Sequence, residues 1–211
     1  TAAMRYLVVS LSASLLYLLG VALVYGSFST VDLPSLARIA ETGPASWVAL
    51  GLMTAGLITK AALFPMHFWL PPAHSTAPAP VSAVLSALVV KGALYILLRL
   101  WFEAFPSALT PAIAQGLGAL GAAAVLWGSA NALLQRRLKL VVAYSTVAQI
   151  GQLFLIFPLA ASAEGGFAAW TGGLILLGSH AVAKTAMFLA AGNVLHAAGH
   201  DGYAAATGHL L

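Results

Sequence analysis

Six apolar runs of about twenty residues divide this 211-residue chain, and none alternates polar with apolar positions. That length matches the hydrocarbon core of a bilayer, which a helix crosses in roughly 20 residues. Lipid offers no hydrogen bonds, so a spanning segment satisfies its own backbone as a helix or joins a closed barrel. Without alternation the barrel is excluded, and the pattern predicts an all-α integral membrane protein with six transmembrane helices. The spans are expected at about 4–25, 46–70, 80–102, 111–134, 138–158 and 167–195, in a single membrane domain over 1–211.

Composition agrees. The chain is 61% hydrophobic and 7% charged, whereas soluble domains carry about 25% charged residues. Such a chain is no soluble enzyme, nucleic-acid binder or disordered tail. Its net charge of +4 is too small and scattered to track a phosphate backbone. With no cysteine, it holds no disulfide, thiolate metal site or iron–sulfur cluster.

Punctuation sets the boundaries. Gly26-Ser27, Pro34 and Gly43-Pro44 follow the first run. Pro71-Pro72 and Pro78-Ala79-Pro80 suggest a Pro-rich loop over 71–80, since proline ends helices yet suits a first turn. Pro106 to Pro111, Glu164-Gly165-Gly166 and a polar elbow of Arg136, Arg137 and Lys139 make the other breaks. Arg5 and the elbow cations then share one side, against Arg38 and Arg99 on the other, which also collects Asp32, Glu41, Glu103 and Glu164. The positive-inside rule puts both termini in the cytoplasm. The first run is too long for a signal peptide and reads as a span. A chain that starts at Thr1 and stops after a short polar tail is expected to be a piece of a longer membrane protein.

Three lysines interrupt the apolar runs. Lys60, Lys91 and Lys184 fall about fourteen, eleven and seventeen residues into their spans, near mid-bilayer at 1.5 Å per residue. A lysine there costs at least about 2.5–3.5 kcal/mol, and it is too deep to snorkel to the interface. No acid of this chain falls at mid-span to answer these charges. A lysine that gives up its proton escapes the cost, which is the chemistry of a proton relay. Ser82, Ser86, Ser129, Asn131, Tyr144, Ser145, Thr146, Gln149, Gln152 and Thr185 supply candidate polar stepping stones. For any one of them, helix–helix hydrogen bonding is the alternative role.

His180 and Lys184 are four residues apart and share a helix face. Histidine shuttles protons at physiological pH. Lysine is a poor metal ligand, so the pair is not read as a metal site. His196, His200 and His209 with Asp201 lie in a Gly/Ala-rich tail and read as a solvated interface rather than a metal cluster. Pro65, five residues beyond Lys60, is expected to break or kink the second span beside that charge.

These residues form a pattern. TKAALFPMHFWLPPAHSTAPAPVSAVLSALVVKGALYILLRLW, from Thr59 to Trp101, resembles the core signature of the antiporter-like membrane subunits. Such subunits occur in respiratory complex I (NADH–quinone oxidoreductase), Mrp-type cation/proton antiporters and group 4 membrane hydrogenases. ALLQRRLKLVVAYSTVAQIGQ at 132–152 is similar to that family's LLQ-x-DLK-x-LLAYS elbow, and GSHAVAKTAMFLAAGNVLHAAG at 178–199 to its HAxxKAxxFLxAG helix. The first run, RYLVVSLSASLLYLLGVALVYG, resembles the preceding helix of the same fold.

The resemblance implies about fourteen helices in two inverted five-helix repeats, of which this chain would hold the sixth to eleventh. It implies that Lys60 is the lysine of the broken helix, Lys91 the central relay residue, and His180 and Lys184 relay residues of the second half-channel. Lys139 would sit at the elbow with Arg136 and Arg137. It further implies no cofactor in this chain, other membrane subunits as partners, and protons as cargo with Na+ as a candidate second ion. Its place would be a bacterial or archaeal cell membrane.

The chain departs from the pattern in lacking the glutamate that pairs with the Lys60 position and the second broken helix. Ala148-Gln149 stands where some relatives carry histidine, and residues 73–80 are nearest the Mrp and hydrogenase branches. Two other readings stay open: a structural membrane anchor that conducts nothing, and a stand-alone Na+/H+ or solute carrier.

Overall fold

The computed structural model describes residues 1–41, 43–162 and 166–199. Glu164, His200, Asp201 and His209 lie outside the described residues. The described residues are built from helices, five of them long and apolar enough to cross a membrane. These are α1 (Ala2–Phe28), α5 (Ala79–Ala104), α6 (Pro111–Leu133), α7 (Leu138–Ala160) and α8 (Gly166–Ala198). Between α1 and α5 come the short α2 (Leu33–Ile39), α3 (Pro44–Lys60) and α4 (Leu70–Thr76).

Local chemistry fixes many ends. The Thr1 and Thr110 hydroxyls accept from the amides of Met4 and Ile113 at the starts of α1 and α6. Asp32 caps α2, accepting from the Ser35 amide at 3.0 Å and the Ser35 hydroxyl at 2.7 Å. The two bonds from Ser35 hold the Asp32 carboxyl below the usual aspartate range. This cap therefore persists above that range and is lost as the pH falls through the lowered value.

The second expected span, 46–70, is not one helix. Pro65 has no N–H, and in a helix its ring would strike the carbonyl of Ala61, so the helix ends ahead of it. The α3 helix stops at Lys60, Ala62 turns through the left-handed region at φ 54°, and Phe64-Pro65 is cis. Trp69 follows in a 3-10 turn, Met66–Trp69, and its indole donates to the Thr59 carbonyl at 2.9 Å, satisfying an exposed end of α3. Trp69→Phe should lower stability by about 1 kcal/mol, read as a lower unfolding midpoint in detergent.

Residues 71–80 likewise differ from the expected loop. Pro71 and Pro72 occupy the first turn of α4, where a missing N–H costs nothing, so the chain re-enters a helix at Leu70. This buried turn carries His74 inward.

Two other departures are local. The α5 helix widens to π geometry over Leu85–Val89 and Leu100–Ala104, as helices often do at functional sites. The α7 helix breaks at Leu155, three residues before Pro158.

Packing relies on small residues. A Cβ at Gly121 of α6 would lie 2.5 Å from the Gly151 carbonyl oxygen and 2.8 Å from the Phe154 Cβ of α7. One at Gly56 of α3 would lie 2.5 Å from the Ala13 carbonyl oxygen of α1. Helices meet this closely in membranes because lipid supplies no hydrophobic drive between them and dispersion does. The α4 helix packs on α7, while α8 packs on α5 and α7. That meeting of α4, α5, α7 and α8 holds the polar centre.

Candidate functional site

Lys91 and Lys184 are 4% and 1% exposed, and His74, Lys139 and His180 are buried with them. The Lys91 ammonium donates to the Ser86 carbonyl, on the first π-helical stretch. The Ser86 hydroxyl meets the Thr146 hydroxyl at 3.2 Å, joining α5 to α7. Thr146 spends its single hydroxyl hydrogen on the Val142 carbonyl at 2.9 Å, so Ser86 is the donor of the pair. Lys184 donates to the Ser145 hydroxyl and to the same Val142 carbonyl. A polar path thus runs from Lys91 through Ser86 and Thr146 to Val142, Ser145 and Lys184.

Around this path sit Lys139 and two histidines. Lys139 donates to the Ala77 carbonyl at 2.8 Å, beyond the end of α4. His74 stacks on Phe188 with centroids 4.4 Å apart. Both ring nitrogens of His74 and of His180 lack a protein partner. Lys91 and Lys184 lie close enough to act electrostatically on each other and on both histidines, and Lys139 acts on His74. No described acid is a hydrogen-bond partner of these lysines: Asp32 caps α2, and Glu103 pairs with Arg99 at 2.7 Å. Three lysines with no described acid beside them thus crowd like charge into a poorly screened interior.

The structure thus brings together Lys91, His180, Lys184, Lys139, Ser86, Ser145 and Thr146 among the expected residues. Ser82 joins at the margin, its hydroxyl donating to the His74 carbonyl at 3.4 Å. Lys60 does not join. It ends α3, half-buried, in a groove of about 540 Å³ lined by Ser14, Tyr17 and Leu57 together with Val89 and Gly92 of α5. Lys60 therefore lies against a different face of α5 from the one that buries Lys91.

Tyr144 makes no side-chain hydrogen bond among the described residues. Gln149, Gln152 and Ser129 line another groove of about 740 Å³, between α6 and α7, which reaches Ser145, the partner of Lys184. Asn131 and Thr185 bond back to their own helices.

Two histidines escaped the sequence reading. His74 was hidden by reading 71–80 as a loop; two prolines at a first turn followed by a histidine were the available signal. His67 accepts from the Trp127 indole at 2.9 Å and stacks on Phe64, which ties the break after α3 to α6.

Fold and site together define an integral membrane protein whose helices enclose a cluster of buried lysines. The chain belongs to the family described as NADH:quinone oxidoreductase/Mrp antiporter, TM, which it matches along residues 1–211. It is 40% identical over 198 residues to NADH-quinone oxidoreductase subunit N of Desulforudis audaxviator, covering 92% of this chain and 38% of that protein. Among solved structures it resembles a chain of the Mrp complex from Dietzia sp. DQ12-45-1b, with a TM-score of 0.82 and 32% identity over 92% of this chain and 35% of that one. A chain of the membrane-bound sulfane sulfur reductase, an archaeal respiratory membrane complex, gives a TM-score of 0.84 at 32% identity, over 97% and 41%. The chain therefore spans less than half the length of each of these relatives.

Proposed function

We propose that this chain is part of a proton-translocating, antiporter-like subunit in a redox-driven pump or a multisubunit cation/proton antiporter. The observation that carries the reading is the buried pair Lys91 and Lys184, bridged by the Ser86–Thr146 hydroxyl contact. A proton arriving at one lysine raises the cost of a proton on the other, because both sit in a poorly screened interior. Charge placed at one end of the path thus drives a proton off the other. Between the lysines, the Ser86 and Thr146 hydroxyls are the groups able both to accept and to donate a proton, while the Ser86 and Val142 carbonyls only accept.

In this reading Lys60 serves as the outer relay position, on the far face of α5, and His180 and Lys139 tune and extend the inner one. The chain takes the place of the sixth to eleventh helices of a fourteen-helix inverted-repeat fold. Its termini face the cytoplasm of a bacterial or archaeal cell, and its partners are other membrane subunits that hold the redox centres or a second ion path. The support is the family match, two structural likenesses to chains of multisubunit membrane complexes, and the geometry of the cluster.

Replacing Lys60 or Lys91 by Ala tests the proposal in the assembled complex. Proton translocation should fall to background while assembly, judged by size-exclusion chromatography, is retained. Full translocation in either variant would leave the chain a structural anchor.

A further inference from the structure

The elbow between α6 and α7 carries features that the relay does not use. Leu133 and Leu134 end α6 at 87% and 78% exposed. Arg136 and Arg137 follow, both exposed. The two differ in direction: the Arg137 guanidinium turns to α4, and Arg136 precedes it in the exposed turn.

Depth is set by α6, whose 23 residues span about 35 Å, slightly more than a hydrocarbon core. Its last leucines therefore lie at the acyl boundary and the arginines in the headgroup layer. The elbow is also held in place. Arg137 donates to the Ser75 carbonyl at 3.4 Å and Lys139 to that of Ala77, which pins the turn to the end of α4.

We propose that this elbow is a binding site for an anionic phospholipid. The headgroup phosphate engages Arg136, and the acyl chain lies along Leu133 and Leu134. Guanidinium suits phosphate because its planar donors match two oxygens at once. A free phosphate would use Arg136 alone, whereas two bare leucines at the acyl boundary favour an anion that carries a chain. The site stands independently of the proton reading.

Spin-labelled phosphatidylglycerol and phosphatidylcholine, added to the intact protein in bilayers, measure the preference directly. The wild type should prefer phosphatidylglycerol, and Arg136→Gln should weaken that preference about five-fold, as expected for one basic residue at a membrane surface. Arg136→Lys, which keeps the charge but loses the planar fork, should keep only part of it, and saturating inorganic phosphate should not displace the lipid. Arg136 is exposed, so these variants leave the core untouched. An unchanged preference in Arg136→Gln overturns the proposal. So does displacement by phosphate alone, which marks a free-anion site, or exclusion of both lipids from the elbow, which marks a covering subunit.

Discussion

Lys184→Met should abolish proton translocation, by at least about a hundred-fold, in an assembly of normal size. Methionine keeps the length and most of the apolar packing of the lysine stem, so the fully buried site stays filled. Ser145 keeps its own bond to the Val142 carbonyl at 2.9 Å, so the local helix is not unmade. What disappears is the amine, to which the proposed relay assigns the taking and releasing of a proton.

Lys184→Arg sharpens the test. Arginine retains the positive charge but does not give up its proton in a protein. A residue needed only as a fixed cation would tolerate that change; a relay residue would not. We expect Lys184→Arg to be as inactive as Lys184→Met, measured as dye quenching in sealed vesicles.

The second large effect is structural. Gly121→Leu places a branched side chain where a Cβ alone would stand 2.5 Å from the Gly151 carbonyl oxygen. Backbone cannot yield there as a flexible side chain would, so α6 and α7 must separate. We expect a loss of about 3 kcal/mol or more, the upper range for overpacking. Because α7 carries Lys139, Ser145 and Thr146, transport should be lost together with the fold. The variant should aggregate or fail to assemble on size-exclusion chromatography, unlike the lysine variants.

Much of this was legible in the sequence. Lys91 and Lys184 stood out because a charge inside an apolar run has few cheap explanations, and both are buried. The spacing of His180 and Lys184 put them on one face, and they share the cluster. The helix break near Lys60 was also foreseen, but its position was not. The sequence points to Pro65 as the breaking point, whereas its clash acts four residues upstream and α3 stops at Lys60 itself.

The contacts between helices were hidden. Ser86 and Thr146 lie 60 positions apart, and no local pattern records that their hydroxyls meet. The wide turn at Leu85–Val89 that offers the Ser86 carbonyl to Lys91 was equally hidden, since π geometry leaves hydropathy unchanged. Lys60 shows the converse. Its depth suggests a place in a relay in series with Lys91 and Lys184, but depth along one helix says nothing of which face its neighbour presents.

In the proposed relay Lys91 and Lys184 work as one path across the Ser86–Thr146 contact. Proton translocation by Ser86→Ala combined with Thr146→Val tests it most directly. Both lysines and their carbonyl acceptors remain, and only the hydroxyls between them are removed. Translocation should fall at least about ten-fold with assembly and helix content unchanged. Translocation at the wild-type rate in that variant would contradict it.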